Sequence, residues 1–287
     1  MMAKTVRVIS PAKLNLYLEV LDKRPDGYHT ISTLFERISL ADEITIKESQ
    51  DNSITIESDS KEMPLDSRNL VYKAATLLKN SLGIKKGVRF RIKKRIPLGA
   101  GLGGGSSNAA ATLIGLNQLW RLRLSRRRLC EYAAELGSDV AFFIADVSFA
   151  WGSSRGEKVK PFAPLHKKIW HIVLVPPISV STKEIYREFD KNAGLCGHNA
   201  DTRTVACRRN FTIDSILFNR LEEITFRKYP EVRILKENLR ACGLTHVLMS
   251  GSGGSVFGIV HSRKEGLEIA AHFQHGQKVK VFVVKTI

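Results

Sequence analysis

The segment from residue 97 to residue 108 has the composition of a loop that binds phosphate. It reads PLGAGLGGGSSN and places five glycines within seven residues. Glycine carries no Cβ, so the backbone of such a segment can approach a bulky anion closely and adopt positive φ angles. A helical pattern follows, and the free N–H groups and dipole at a helix start attract an anion. The sequence therefore predicts a phosphate-binding loop here.

Two well-known glycine motifs match this loop only in part. Gly99, Gly101 and Gly104 have the spacing of the dinucleotide-binding fingerprint, but that match alone is weak. The strand pattern before the loop is amphipathic and rich in Lys and Arg, whereas a Rossmann fold begins with a strand buried on both faces. A Walker P-loop has a lysine before its final Ser or Thr, and here Gly105 precedes Ser106. A turn without a ligand is the third alternative, and it leaves so many glycines unexplained. A phosphate loop of another type is favoured.

Two ionisable residues elsewhere have the chemistry that phosphoryl transfer needs, namely charge neutralisation and a group that deprotonates or orients the acceptor hydroxyl. Asp139 follows a predicted helix in the run Gly-Ser-Asp-Val. From the residues alone, an aspartate in a turn or helix cap is the simpler interpretation. Lys13 stands at the start of an apolar strand pattern, where a lysine is usually solvated.

An aromatic pair and a second glycine cluster are further candidates. Tyr28 and His29 follow the turn residues Asp26 and Gly27, and by themselves they would be a loop aromatic and a surface histidine. Residues 250–255, SGSGGS, join two predicted strands. Alone, this cluster would be interpreted as a tight turn.

The spacing of apolar residues and of Gly and Pro predicts the elements that position these side chains. Helices are predicted at 69–82, 108–120, 126–136, 231–242 and 264–273. Strands are predicted at 6–9, 14–20, 44–46, 54–56, 88–93, 149–151, 157–159, 172–175, 245–249, 255–260 and 279–284. The strands 44–46 and 54–56 are expected to form a hairpin. This mixed order predicts α+β layers rather than a doubly wound sheet.

Length and composition describe an ordinary globular protein with two domains. The chain has 287 residues, of which 43% are hydrophobic and 25% charged. Pro161 and Pro164 mark the predicted boundary between a domain at 1–160 and a domain at 161–287. Residues 190–212 are polar and rich in Arg and Cys, and no element is assigned to them.

The charge is strongly basic, with 45 Lys and Arg against 28 Asp and Glu, a net +17. Such a field attracts anions, including nucleotides and nucleic acids. The charge is spread along the chain, so no specific nucleic-acid partner is expected. The four cysteines form no CxxC pair, which fits a reducing cytosol. There is no secretory h-region and no apolar run of the roughly 18–20 residues a membrane span needs. We expect a cytoplasmic protein without membrane contact.

Several runs of residues together resemble the GHMP kinases, in the same order as in that family. They are Pro11-Ala12-Lys13-Leu14-Asn15-Leu16, Asp26-Gly27-Tyr28-His29, the loop at 97–110, Gly137-Ser138-Asp139-Val140 and Met249-Ser250-Gly251-Ser252-Gly253. The resemblance extends over nearly the whole chain and is closest to the branch of the non-mevalonate isoprenoid pathway.

This resemblance implies a fold and an activity. The fold would be the two-domain GHMP kinase fold, with an N-terminal ribosomal-protein-S5-like domain and a C-terminal ferredoxin-like α/β domain. The activity would be that of an ATP-dependent kinase acting on the 2-hydroxyl of a small cytidine diphosphate-linked alcohol. ATP and Mg²⁺ would be required, and the protein would be a monomer or a weak homodimer.

The resemblance also implies roles for particular residues. Asp139 would be the catalytic base and Lys13 the second catalytic residue. The predicted substrate-binding residues are Asn15, Tyr28, His29, Thr182 and Tyr186, with the two tyrosines stacking on the cytosine and His29 hydrogen-bonding it. The predicted ATP-binding residues are Pro97, Leu98, Gly99, Ala100, Gly101, Leu102, Gly103, Gly104, Gly105, Ser106, Ser107, Asn108, Asn69 and Lys94. Ser107 is the candidate Mg²⁺ ligand, and residues 250–255 would support the substrate side.

The sequence departs from the family around the base, where Ser138 and Ala141 stand in place of Ala and Pro. Two alternatives remain. One is another GHMP kinase, acting on homoserine, mevalonate or a sugar. Tyr28, His29 and Tyr186 favour a substrate with a base, because those substrates have none to stack. The other is a catalytically silent nucleotide- or RNA-binding protein, against which intact Lys13 and Asp139 argue.

Overall fold

The computed structural model describes residues 4–164, 168–192, 216–273 and 278–287. The strands are β1 Thr5–Lys23, β2 His29–Ser49, β3 Ile54–Ser58, β4 Gly87–Lys93, β5 Phe149–Ser153, β6 Lys158–Phe162, β7 Trp170–Val175, β8 Phe218–Asn219, β9 Val247–Met249, β10 Val256–Val260 and β11 Lys280–Lys285. The helices are α1 Leu70–Leu82, α2 Gly104–Leu119, α3 Arg126–Leu136, α4 Val140–Ala145, α5 Thr182–Lys191, α6 Glu222–Lys228, α7 Pro230–Ala241 and α8 Arg263–His272. The mixed α+β content predicted from the sequence is confirmed.

The first sheet has the order β3-β4-β2-β1-β8, and β5 and β6 extend it from β2. The two predicted strands at 6–9 and 14–20 are one strand, because β1 continues through Pro11 with a shift of register between Pro11 and Ala12. The prediction of a half-buried strand at 14–20 is wrong. Nearly every side chain from Ser10 to Val20 is buried, since β1 contacts α2, the glycine loop and the second sheet.

The predicted hairpin of 44–46 with 54–56 is also wrong. Ile46 pairs with Phe90 of β4 in antiparallel register, and Ile56 pairs with the same residue in parallel register from the other side. β4 therefore lies between β2 and β3. Parallel strands need a crossover connection, usually a helix, and α1 provides it between β3 and β4.

Helix ends follow local capping signals where these are strong. Asn69 caps α1 by accepting a hydrogen bond from the N–H of Val71 at 2.9 Å, and Gly83 ends it with a φ of +64°. Helix α3 runs from Arg126 to Leu136, as predicted. Helix α2 begins at Gly104, four residues before its predicted start. The glycine loop thus supplies the helix's first turn.

The second sheet has the order β11-β7-β10-β9 with every pairing antiparallel. One apolar cluster lies between the two sheets and includes Leu14 and Leu16 of the first with Val173 and Phe257 of the second. The boundary predicted at 160 falls within β6, and β8 returns from the second half to pair with β1. The assignment of 1–160 and 161–287 as separate domains remains a proposal. Most of the 190–212 segment lies outside the described residues.

Candidate active site

A cavity of about 990 Å³ opens between the two halves of the molecule. That volume is at the upper end of the range for small-molecule sites. Its wall includes every residue from Pro97 to Ser106, together with Lys13, Asp139 and the aromatic residues near β2 and α5. The fold therefore brings the glycine loop, the acid and the ammonium to one place.

The backbone of the loop alternates in conformation. Gly99, Gly101 and Gly103 have φ angles of +62°, +75° and +69°, in the left-handed region, whereas the side chains of Ala100 and Leu102 between them are buried. Glycine is the residue that adopts this region at low cost. Successive N–H groups in such an arrangement form a concave site for anions.

The second glycine cluster lies directly against this loop. The N–H of Ser255 donates to the carbonyl of Ala100 at 3.1 Å, and the hydroxyl of Ser250 donates to the carbonyl of Gly101 at 3.1 Å. A Cβ on Gly254 would lie 2.9 Å from the Cα of Ala100. Residues 250–255 therefore pack against the phosphate loop from the side of the second sheet.

Helix α2 starts without a side-chain cap, because its N-cap residue is Gly103. The first N–H groups of a helix have no partner inside the helix, and together with the helix dipole they favour a bound anion. The ammonium of Lys94 lies close to this start, 3.2 Å from where a Cβ on Gly104 would be. The local charge is therefore suited to phosphate.

Lys13 and Asp139 form an ion pair with 3.2 Å between Nζ and Oδ2. Lys13 is 3% exposed, and the side chain of Asp139 is 27% exposed. Asp139 precedes α4, a short helix not predicted from the sequence, but its carboxylate does not cap that helix. Lys13 also packs on the loop, since a Cβ on Gly103 would lie 2.9 Å from its Cγ. The pair thus borders the anion site.

Asn15 holds the Lys13 ammonium in place. Lys13 Nζ donates to Asn15 Oδ1, and Asn15 Nδ2 donates to the hydroxyl of Thr33 at 2.8 Å. That hydroxyl donates in turn to the carbonyl of Tyr17 at 2.7 Å. Both ends of the Asn15 amide therefore have partners within the protein, although the residue lies in the cavity wall.

A buried carboxylate, Asp42, organises the entry to the loop. Its Oδ1 accepts from the N–H groups of Arg95 and Ile96 at 2.7 and 2.9 Å. Its Oδ2 accepts from Lys94 Nζ at 2.6 Å and Asn108 Nδ2 at 2.9 Å. Burial lowers the pKa of Lys94, and the charge of Asp42 opposes that shift. No local pattern in the sequence indicates this role of Asp42, since its partners lie more than fifty residues away.

Three predicted ATP-site residues do not face the cavity. Ser107 is buried on the other side of α2, where it accepts a hydrogen bond from the hydroxyl of Ser10 at 2.8 Å. Asn108 donates to Ser10 and Asp42. Asn69 uses its amide to cap α1 and to donate to the carbonyl of Pro64 at 2.6 Å. Ser106 lies in the wall in place of Ser107.

The aromatic end of the cavity is formed by the start of β2 and by α5. The ring of His29 stacks on the ring of Tyr186 with centroids 5.3 Å apart, and its Nε2 lies 2.7 Å from Asp190 Oδ1. Tyr28 is 55% exposed and also lines the cavity. Burial and the nearby charge of Asp139 raise the pKa of Tyr186 well above its ordinary value, so this ring stays neutral.

Thr182, at the start of α5, lies across from the second glycine cluster. Its hydroxyl is 2.8 Å from that of Ser252. Both residues line the cavity. All five predicted substrate-side residues therefore lie in the wall. No cluster of three metal-ligating side chains occurs in the part of the chain that the structure describes.

A concave amide site beside a paired acid and ammonium is suited to phosphoryl transfer, and comparison with known proteins agrees. The family profile for the GHMP kinases N terminal domain matches residues 69–147, and that for the GHMP kinases C terminal domain matches residues 208–277. A protein called 4-diphosphocytidyl-2-C-methyl-D-erythritol kinase from Geobacillus sp. (strain WCH70) is 46% identical over 255 residues, which are 88% of this chain and 87% of the relative. The protein with that name from Bacillus subtilis (strain 168) is 44% identical over 254 residues, with coverage of 88% and 86%.

Solved structures give the same result. A crystal structure of 4-(cytidine 5'-diphospho)-2C-methyl-D-erythritol kinase matches with a TM-score of 0.77 at 32% identity, covering 97% of this chain and 99% of that one. The mevalonate kinase of Methanococcus jannaschii shares the fold, with a TM-score of 0.76 at 14% identity and 99% of both chains covered. This chain belongs to the GHMP kinase family, in the branch of the 4-diphosphocytidyl-2-C-methyl-D-erythritol kinases. It is thus an ATP-dependent phosphotransferase, and the fold expected from the resemblance is confirmed. Among the described residues, no helix has the length and apolar character of a membrane span.

Proposed function

We propose that this kinase transfers the γ-phosphate of ATP to the 2-hydroxyl of 4-diphosphocytidyl-2-C-methyl-D-erythritol, a step of non-mevalonate isoprenoid precursor synthesis. The observation that supports this most directly is the Lys13–Asp139 pair beside Gly103, in a cavity with aromatic rings at its other end. One end suits a triphosphate and a reacting hydroxyl, and the other suits a flat base.

In the proposed mechanism, the Asp139 carboxylate accepts the proton of the acceptor hydroxyl as its oxygen attacks the γ-phosphorus. The new P–O bond forms as the bond from the γ-phosphorus to the β,γ-bridging oxygen breaks, and ADP leaves. Lys13 favours the ionised form of Asp139 and offsets charge on the transferring phosphoryl group. Asn15 orients the ammonium by its own hydrogen bond to it.

The glycine loop binds the triphosphate through its amides. Residues 99–105 line the cavity where the phosphates would lie, and the Lys94–Asp42 pair lies next to the start of α2. When bound, Mg²⁺ neutralises the triphosphate and stabilises charge on its oxygens. Mg²⁺ is usually held by substrate phosphates, water and only one or two protein groups. The hydroxyl of Ser106 in the cavity wall fits that need, so we assign Ser106 rather than the buried Ser107.

The substrate's cytosine occupies the aromatic end. Tyr28 and Tyr186 supply ring faces for stacking, worth roughly 1–3 kcal/mol per base, and His29 supplies a ring nitrogen for hydrogen bonding. We further expect a cytoplasmic monomer or weak homodimer with no specific nucleic-acid partner.

The deciding experiment is ADP release measured with the cytidylated alcohol, homoserine and mevalonate in parallel. The cytidylated alcohol should be turned over far faster than the other two. Faster turnover of homoserine or mevalonate would identify another GHMP activity. No turnover of any of the three, with ATP still bound, would indicate a silent nucleotide-binding protein.

A further inference from the structure

The turn between β5 and β6 places Arg155 in the wall of the cavity, next to Tyr28. The guanidinium of Arg155 lies 5.1 Å from the centroid of the Tyr28 ring. The next residue, Gly156, is beside the catalytic acid, because a Cβ there would be 3.8 Å from Asp139 Oδ1. Two consecutive residues of this turn thus lie next to the Tyr28 ring and next to the carboxylate of Asp139.

This turn is held firmly on the first sheet. The carbonyl of Ser154 accepts a hydrogen bond from the N–H of Ile31 at 2.7 Å. The hydroxyl of Ser154 accepts one from Arg24 Nη1 at 3.1 Å. The N–H of Arg155 donates to Glu157 Oε2 at 2.8 Å. The backbone therefore fixes the position from which the Arg155 side chain extends.

Other cations of the cavity are already committed or lie at its edge. Lys13 is paired with Asp139, and Lys94 is paired with Asp42. Lys183 and Arg187 are on the exposed side of α5. The guanidinium of Arg155 has one weak ion pair, 3.9 Å from Nε to Glu157, and a long hydrogen bond of 3.5 Å from Nη2 to the carbonyl of Ala134. It retains donors for a ligand.

We propose that Arg155 binds the diphosphate that links the cytidine to the alcohol of the substrate. This inference rests on the proposed function. If the base lies against Tyr28 and the hydroxyl lies at Asp139, the diphosphate must pass between them, and the turn with Arg155 and Gly156 borders both. A guanidinium presents a planar fork of donors that matches phosphate oxygens in a bidentate way.

Among the described residues, the other charged groups of the cavity wall, apart from those at its edge, do not provide a free cation for a diphosphate. Asp26, Asp139 and Asp190 lie in its wall, and each is paired with Arg24, Lys13 or Lys23. Arg155 adds a positive charge that these pairs do not neutralise, and the Tyr28 face supports that charge. Arg155 therefore distinguishes a diphosphate-linked alcohol from an uncharged one of similar shape.

The test compares inhibition by cytidine and by cytidine diphosphate, each competing with the cytidylated alcohol at saturating ATP. In the wild type the diphosphate should bind more tightly than the nucleoside. Arg155→Gln should weaken diphosphate binding roughly 10- to 100-fold, as expected for a charge-assisted hydrogen bond, while cytidine binding changes little. Arg155→Lys should be intermediate, since an ammonium keeps the charge but loses the fork.

Arg127→Gln is the matched control, because it removes the same charge from a side chain that is 92% exposed on α3. It should leave both inhibition constants unchanged. If Arg155→Gln weakened the binding of cytidine and of cytidine diphosphate equally, the arginine would only hold the Tyr28 ring in position. The inference would then be wrong. It would also be wrong if Arg155→Gln changed neither constant. Absence of turnover in the wild type would overturn the proposed function itself, and the Arg155 inference with it.

Discussion

The carbonyl oxygen of Ser250 lies 2.2 Å from the point where a Cβ on Gly101 would be, and the hydroxyl of Ser250 donates to the Gly101 carbonyl at 3.1 Å. The two glycine-rich segments come from opposite halves of the chain and leave no room for a methyl group between them. The shape of the phosphate loop thus depends on the second sheet as well as on its own sequence.

Replacement of Gly101 by Ala should therefore damage both the fold and ATP binding. The φ of +75° costs an alanine about 1–2 kcal/mol, and the clash with backbone forces one glycine segment to move. We expect a clearly raised KM for ATP and a loss of unfolding free energy of more than about 2 kcal/mol. ADP release kinetics and urea unfolding measure the two effects.

The variant Gly83→Ala is the control, because it introduces backbone strain without a steric clash. Gly83 has a similar φ of +64°, but an added Cβ would meet nothing within 4 Å. This variant should lose only the strain energy and keep the wild-type KM for ATP. If Gly101→Ala behaved like Gly83→Ala in both measurements, close packing of the two segments would not matter for ATP binding.

Substitutions of Lys13 and Asp139 should lower kcat much more than they lower the affinity for ATP. Asp139→Asn keeps the side-chain shape but removes the base, so kcat should fall by roughly 10²–10⁴-fold while ATP affinity, measured by titration, stays nearly unchanged. Lys13→Met keeps the apolar stem that packs on Gly103 and should also reduce kcat strongly, because the ammonium 3.2 Å from Asp139 is lost.

Lys236→Met is the control for the loss of a buried ammonium. Lys236 pairs with Glu222 at 2.5 Å and does not line the cavity. It should lose stability without losing kcat. If Asp139→Asn failed to fold, or if Lys13→Met retained full turnover, the pair would be structural rather than catalytic.

Local signals in the sequence were enough for part of this site. The glycine run, the cap residue Asn69 and the stop at Gly83 act within a few residues, and the elements they predict are present. The start of α2 was placed too late because glycines disfavour a helix interior. The resemblance implied Ser107 as the Mg²⁺ ligand, whereas the helix, turning about 100° per residue, buries Ser107 and places Ser106 in the cavity wall.

Strand pairings between distant parts of the chain could not be predicted from the sequence. The alternation at 54–56 indicates a strand but does not indicate its partner, so the parallel pairing with β4 was missed. Asp42 and Arg155 stand in ordinary strand and turn patterns, and their importance comes from groups brought together by the fold. Residue type alone does not reveal such sites.

Asp42 should be important for the position of residues 94–96, which lead into the glycine loop. Asn at this position keeps an oxygen for the N–H groups of Arg95 and Ile96, but its amide nitrogen would face the donors of Lys94 and Asn108. Breaking a buried ion pair by removing one partner costs about 3–5 kcal/mol. We expect Asp42→Asn to lower the unfolding free energy by that order and to raise the KM for ATP.

The double variant Asp42→Asn/Lys94→Met tests the cause. It removes the unpaired ammonium as well, so it should be less destabilised than the sum of the two single variants, as a double-mutant cycle in urea unfolding would reveal. Simple additivity would mean that the two charges do not interact in the folded protein.

Tyr17 gives a prediction for alkaline pH. Its side chain is 6% exposed, and burial raises its pKa from 10.0 to about 12, with a further rise from Glu19 and an opposing effect of Arg220. Between these two values the unfolded chain has lost the phenolic proton and the folded chain has kept it. Stability from the neutral phenol is therefore complete below pH 10 and is lost as the pH rises towards 12.

A shift of this size corresponds to about 2–3 kcal/mol, and Tyr17→Phe isolates it because phenylalanine does not titrate. The difference in unfolding free energy between wild type and Tyr17→Phe should be constant from pH 7 to 9. As the pH approaches 12, the wild type should lose about 2–3 kcal/mol of unfolding free energy relative to Tyr17→Phe. Subtracting the two curves cancels the lysines that titrate in the same range. Parallel curves up to pH 12 would mean that the phenol is solvated in the folded protein, contrary to its packing between Trp151 and Phe218.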